Sequence, residues 1–252
     1  MKVLAVIPAR YGSTRLPAKA LISIAGKPMI QRVWERVRQA ESVSKVLVAT
    51  DDERIASAVR AFGGEAVMTR TEHRSGTERV AEVAAAHPEF EIVVNVQGDE
   101  PLIEPAAIDT AVEAISESED AKLATIAVPI TNPADIMDPN VVKAVLDFDG
   151  NALYFSRAPI PWVRDRGGPV HAKHLKHLGL YVFRREALLE FATFPQGDLE
   201  RVEQLEQLRW MENGYRIRVA ETEYDSLSVD TAEDVKKVEQ ALGARGASRT
   251  GT

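Results

Sequence analysis

The sequence predicts an α/β fold of Rossmann-like type, with a mostly parallel central sheet, helices on both faces and a β-rich insertion in its second half. Three observations point to it. Short unbroken apolar runs recur at Val3 to Ile7, Val46 to Ala49 and Ile92 to Val96, as strands buried on both faces require. Segments with apolar residues at helical spacing lie between them. The connections are short, as crossovers between parallel strands allow.

In chain order, Val3-Leu4-Ala5-Val6-Ile7 ends at Pro8, and a loop rich in Gly, Ser and Pro runs to about Lys27. Pro28 suits a first helical turn, with Met29, Ile30, Val33 and Val37 on one face. After the strand Val46 to Ala49, Thr50-Asp51-Asp52 opens a helix to about Phe62, stopped by Gly63-Gly64. Glu65 to Met68 is a short strand, Thr77 a candidate cap for a helix through His87, and the strand Ile92 to Val96 leads into Gln97-Gly98-Asp99-Glu100-Pro101. Beyond Asn132 the pattern changes. Val141 to Leu146 and Ala152 to Phe155 flank Asp149-Gly150 as an antiparallel hairpin. A segment with Pro159, Pro161, Gly167, Gly168 and Pro169 precedes a strand from about Leu178 to Phe183. Helices near 185–193 and 199–213, a strand near 215–221 and a helix near 231–243 follow. The organisation expected is one domain over 1–243, with 132–184 as the β-rich insertion and 244–252 as a mobile tail lacking apolar anchors. Trp34, Trp162 and Trp210 read as packing residues.

Composition narrows the function classes. With 252 residues, 45% hydrophobic and 27% charged, the chain reads as an ordinary globular protein. The absence of Cys excludes disulfides, thiolate metal sites and a cysteine nucleophile. No run approaches the roughly 18 apolar residues of a membrane helix, and Val3 to Ile7 is too short for a signal-peptide core. A cytoplasmic protein is expected, without membrane partners. The net charge of −7 is unevenly distributed. Lys2, Arg10, Arg15, Lys19, Lys27 and Arg32 all precede the first acidic residue, Glu35, while the remaining 218 residues carry 25 basic and 38 acidic groups. That balance disfavours nucleic acid and favours a local site for a small polyanion.

The segment Pro8 to Lys19 leaves the expected carboxyl end of the first strand, the edge where open α/β sheets bind ligands. It matches neither G-x-G-x-x-G nor the Walker A pattern. It does place Arg10, Arg15 and Lys19 with Ser13, Thr14 and Gly12 within ten residues, a donor set suited to a triphosphate. A solvated basic loop is the plainer alternative.

This loop resembles the start of the CMP-sugar-acid synthetases, nucleotidyltransferases that use CTP. Several later motifs narrow the resemblance: His73-Arg74-Ser75-Gly76-Thr77-Glu78-Arg79, Val96 to Pro101, Tyr154 to Trp162, His177-Leu178-Gly179-Leu180-Tyr181, Leu205-Glu206-Gln207-Leu208-Arg209 and Val229 to Asp234. In this order, over about residues 3–243, they are similar to the branch that activates 3-deoxy-manno-octulosonate (KDO), the CMP-KDO synthetases. Departures are Ala18 and Ala20, where the family usually flanks its loop lysine with Gly and Pro, together with Arg74, and Ser228 in place of a common Gly.

The resemblance implies a nucleotide-diphospho-sugar transferase fold, a homodimer built through the insertion, and transfer of CMP from CTP to KDO for lipopolysaccharide synthesis. Another sugar acid (amino-KDO or a sialic acid) or an inactive nucleotide-binding homologue are the alternatives. Asp99 and Asp230 are implied as Mg²⁺ ligands, although each alone also suits a turn or a helix start. Arg10, Ser13, Arg15, Lys19, His73, Ser75, Arg79 and Gln97 are implied for the nucleotide. Gln97, Arg157, His177, Tyr181, Glu206 and Gln207 are implied for the sugar acid, whose carboxylate and hydroxyls call for a cation and several donor–acceptor groups. His171, His174 and His177 invite a zinc reading, but residues three apart on a strand face opposite sides.

Overall fold

The computed structural model describes residues 1–12, 16–118, 120–164 and 173–249. Ser13 and Arg15, and His171 of the zinc reading, lie outside them. The chain forms two compact units, residues 1–109 with 226–252 and residues 110–225. The second unit thus takes in the expected insertion 132–184 together with flanking chain on both sides.

In the first unit, the apolar runs become strands whose neighbours cover both faces. β1 (Val3–Ala9) has Leu4 to Ile7 fully buried. A single 3₁₀ turn (Lys19–Leu21) follows the loop, then β2 (Ser23–Ile24) and β3 (Lys27–Pro28) form a small hairpin. Its turn residues Ala25 and Gly26 both have positive φ, 43° and 80°, as the tightest hairpin turns require. α1 (Met29–Val37), β4 (Lys45–Thr50), α2 (Glu53–Ala61), β5 (Glu65–Met68), α3 (Gly76–Ala85) and β6 (Ile92–Asn95) complete the alternation. The strands run parallel in the order β6-β1-β4-β5.

The helix starts follow side-chain chemistry. The Asp52 carboxylate accepts from Arg54 N–H at the start of α2. At α3 the cap is Ser75 rather than the expected Thr77. Ser75 Oγ accepts from Glu78 N–H at 3.2 Å, while Glu78 Oε2 accepts from Arg74 N–H at 2.9 Å. This Ser-x-x-Glu arrangement starts the helix two residues earlier than expected. Thr77 lies inside the first turn, buried, and its hydroxyl accepts from Asn95 Nδ2.

α4 (Pro105–Ser116) leads into the second unit. There follow β7 (Leu123–Pro129), α5 (Pro133–Met137), β8 (Lys143–Leu146), β9 (Ala152–Ser156), β10 (Leu175–Arg184), α6 (Arg185–Phe191), α7 (Asp198–Glu203), α8 (Gln207–Glu212) and β11 (Ile217–Glu221). β11 pairs parallel with β7, whereas β7–β10, β10–β8 and β8–β9 are antiparallel, so the expected hairpin is present. The register of β10 against β7 shifts between Leu178 and Tyr181, a bulge that re-aims side chains locally. The single helix expected over 199–213 is two, because Gln204 turns left-handed at φ 55°. The main-chain oxygens of Glu203 and Gln204 leave the helical ladder to accept from the Arg157 guanidinium at 2.7 and 3.4 Å. Trp210 is core, stacked on Phe191 at 4.8 Å, but Trp162 is 63% exposed and lies outside the core.

α9 (Ala232–Arg249) returns the chain to the first unit and remains helical past residue 243, into the stretch expected as a tail. Among the described residues, no helix is long and apolar enough to cross a membrane.

Candidate active site

The carboxyl ends of β1 and β6 and the start of α3 surround a cavity of about 290 Å³ in the first unit. Pro8, Ala9 and Arg10 line it from β1, and Gln97, Gly98 and Asp99 from the loop after β6. His73 to Gly76 and Arg79 line it from α3 and the turn before it, and Lys19 and Asp230 complete it. The loop after β6 comes close because residue 98 has no side chain. A Cβ there would stand 2.9 Å from the Pro8 carbonyl oxygen, and one at Gly76 would meet the Pro8 ring at 3.2 Å.

Asp99 and Asp230, separated by most of the chain, meet at one cation. Lys19 Nζ donates to Asp99 Oδ2 at 2.6 Å and to Asp230 Oδ1 at 2.8 Å. Two local devices bring the aspartates together. Val229 N–H donates to the Asp99 carbonyl at 2.9 Å, and Val229, Leu102, Met29, Ile24 and Val238 form one buried apolar cluster. Thr231 caps α9, its Oγ1 accepting from Asp234 N–H while Asp234 Oδ2 accepts from Asp230 and Thr231 N–H. Lys19 is presented by Ala18, which sits in the left-handed region at φ 52°.

This donor set fits a hard divalent cation. Two carboxylates converge on a point already held by a positive charge, and among the described residues no third His, Cys, Asp or Glu joins them in a metal cluster. Magnesium bound by one or two carboxylates, with phosphate oxygens and water, needs no more.

The other expected nucleotide residues divide by how they are engaged. Arg10 is exposed at the rim, and Gln97 is half-buried. Arg79 is a buried wall, its guanidinium donating to Asp51 Oδ2 at 2.7 Å, to the Thr69 hydroxyl and to the Arg70 carbonyl. It therefore ties the loops after β4 and β5 to α3. His73 is held by a short contact to the Glu82 carboxylate, and the Ser75 hydroxyl is spent on the cap.

Apart from Gln97, which belongs to the first unit, the residues expected for the sugar acid lie in the second unit, and several of them are in contact. The Tyr181 hydroxyl donates to Gln207 Oε1 at 3.0 Å, and the Tyr181 ring lies 5.5 Å from that of His177. The Thr125 hydroxyl donates its one proton to the Leu180 carbonyl at 2.7 Å, so His177 Nε2 at 2.9 Å must be the donor to it. Burial lowers the His177 pKa to about 3, which keeps the ring neutral. His174 Nε2 instead faces the Pro161 carbonyl, so these two imidazoles serve separate purposes. Arg157 donates to the carbonyls of Glu203, Pro139 and Gln204, leaving two of its five N–H groups for a ligand. Glu206 sits at the α7–α8 corner, directly before Gln207 at the start of α8.

Sequence reading missed the residues that hold this corner. Glu203 accepts from Ser156 Oγ at 2.6 Å and from Arg157 N–H at 3.0 Å. The Glu200–Arg209 pair, buried and bidentate at 2.6 and 2.7 Å, joins α7 to α8. Lys143, fully buried, donates to the carbonyls of Asp138, Val141 and Arg157 at 2.6–2.8 Å, and burial pushes its ammonium below the usual lysine range. A lysine within the apolar run Val141 to Leu146 was the available signal.

Comparison with known proteins decides the family. The cytidylyltransferase family matches residues 4–217. A 3-deoxy-manno-octulosonate cytidylyltransferase of Solibacter usitatus is 54% identical over 96% of this chain and 95% of its own length. The chain belongs to this cytidylyltransferase family. A second relative with the same name, from Geobacter sulfurreducens, is 52% identical over 96% of this chain and all of its own. Among solved structures, a CMP:2-keto-3-deoxy-manno-octonic acid synthetase complexed with CTP superposes with a TM-score of 0.92 at 43% identity, covering 97% of this chain and 100% of that one. A cytidylyltransferase from Leptospira borgpetersenii, at 18% identity and TM-score 0.64, shares the fold.

Proposed function

We propose that this chain transfers the cytidylyl group of CTP to the anomeric hydroxyl of KDO, releasing pyrophosphate, and that the product serves lipopolysaccharide synthesis. The convergence of Lys19, Asp99 and Asp230 beside the cavity carries this reading. The names of relatives more than 50% identical over nearly the whole chain support it.

Arg10, Arg15 and Lys19 neutralise the triphosphate, and Gln97 sits at the rim between nucleotide and sugar. Asp99 and Asp230 would hold Mg²⁺, which supplies charge neutralisation at the α-phosphate and a lowered pKa for the attacking hydroxyl. In-line attack on phosphorus depends chiefly on placement and on charge arranged in advance. The side chains here supply both without a dedicated general base. Tyr181 and Gln207 offer hydroxyl and amide partners to the sugar, with neutral His177 behind them, while Arg157 keeps two N–H groups for its carboxylate. A cytoplasmic homodimer joined through the 132–184 segment is the assembly proposed.

The test is Mg²⁺-dependent release of pyrophosphate from CTP, with KDO, amino-KDO and a sialic acid offered separately. Release is expected with KDO, and silence with all three acids refutes the proposal. Asp99→Asn and Asp230→Asn should each fold and lose at least about 100-fold in kcat, the scale of removing one preorganised electrostatic contact. Full activity in both removes the metal assignment.

A further inference from the structure

The position of Lys19 suggests more than a phosphate contact. A lysine intended only for a triphosphate could extend into the open cavity. Here its side chain is only 14% exposed, and the ammonium bridges the two carboxylates at 2.6 and 2.8 Å. Asp99 and Asp230 come from segments far apart in sequence that lie side by side, joined by the Val229 N–H bond to the Asp99 carbonyl, and they bring two negative charges to one point. Without a counter-charge their mutual repulsion would oppose that arrangement. The backbone at Ala18 is bent into the left-handed region, an uncommon conformation for a residue with a Cβ, and it precedes the single 3₁₀ turn that begins at Lys19. The lysine is therefore held inward by local chain geometry as well as by charge.

We propose that the Lys19 ammonium is the resident counter-ion of Asp99 and Asp230 in the nucleotide-free protein, competing with a divalent cation for their oxygens until the triphosphate offers Lys19 a new partner. The inference rests on the metal reading above. It adds that metal and nucleotide are coupled through this one side chain. The cation binds weakly while Lys19 occupies the carboxylates, and CTP removes the competitor by drawing the ammonium to its phosphate oxygens. Linkage makes the effect mutual, so the metal must strengthen nucleotide binding by the same factor.

Titration of Mn²⁺ into the full chain, followed by calorimetry and by the electron paramagnetic resonance of free Mn²⁺, reads this without turnover. It is done with and without CTP and in the absence of any sugar acid. Lys19→Met should bind Mn²⁺ about tenfold more tightly than wild type when CTP is absent, because one positive charge has left two carboxylates that are only 31% and 37% exposed. Its CTP-induced gain in Mn²⁺ affinity should shrink by a similar factor. Lys19→Arg, which keeps the charge, should stay near wild type in the CTP-free titration. Thermal melts establish that each variant is folded, and Mn²⁺ should raise the melting temperature of Lys19→Met more than that of wild type. Unchanged or weaker CTP-free binding in folded Lys19→Met overturns the inference while leaving the metal reading intact. Failure of wild type to bind Mn²⁺ even with CTP overturns both.

Discussion

His177 shows how one buried side chain can leave a mark on stability. Buried between Thr125, Phe155 and Tyr181, it stays neutral with its pKa lowered to about 3. In the unfolded chain an imidazole takes up a proton near pH 6.5. Unfolding therefore binds a proton between about pH 6.5 and 3, and stability falls as pH drops through that window. Between pH 7 and 5 this group alone should remove about 2 kcal/mol. His177→Gln, which retains an amide to face Thr125, should show a correspondingly flatter loss in urea unfolding at the two pH values. Equal losses in both proteins would mean that the ring is not buried neutral. In the sequence, His177 is implied for the sugar acid only through its motif. Its tautomer depends on Thr125, which lies 52 residues earlier in the chain, and its neutrality on burial.

At the scale of elements, legibility followed the length and purity of the pattern. β1, β4 and β6 were readable because strands buried on both faces leave unbroken apolar runs. α4 and β7 went unread, although Pro105 at a helix start and Leu123 to Val128 were available signals. The break at Gln204 was hidden for a different reason. Residues 199–213 have good helical spacing, and only the distant Arg157 draws their carbonyls aside. The same limit applied to the site. That Asp99 follows a buried strand could be read locally, whereas its meeting with Asp230 requires Val229 to bond the Asp99 carbonyl. Gly98 makes this dependence testable. In Gly98→Ala the new Cβ, 2.9 Å from a main-chain oxygen, cannot be relieved by rotating a side chain. The variant should lose about 1–3 kcal/mol of stability, the usual scale of overpacking. Because the strain falls one residue before Asp99, kcat/KM should also fall by at least about tenfold. A variant with wild-type melting temperature and turnover would show that the two loops can separate freely.

For the whole molecule, the net charge of −7 conceals a division that the fold converts into a field. The first 34 residues carry only positive side chains, and the structure places two of them, Arg10 and Lys19, on the cavity wall. The acidic excess belongs to the remaining chain, from which Asp99 and Asp230 are brought back to the same cavity. A tetra-anionic nucleotide approaching this protein is repelled by the average charge and attracted by the local one. The local charge prevails at short range because salt screens interactions beyond roughly 10 Å at 0.1 M ionic strength. CTP affinity should accordingly weaken about tenfold between low and about 0.5 M monovalent salt, since contacts at the exposed Arg10 are screened first. Cytidine, with the same base and ribose and no phosphate, is the control, and its weaker binding should change little over that range. Calorimetric titration of both ligands across the salt series measures the difference. Parallel responses would assign the salt effect to the fold as a whole. A response confined to CTP would locate it in the cations that the N-terminal segment delivers to the cavity.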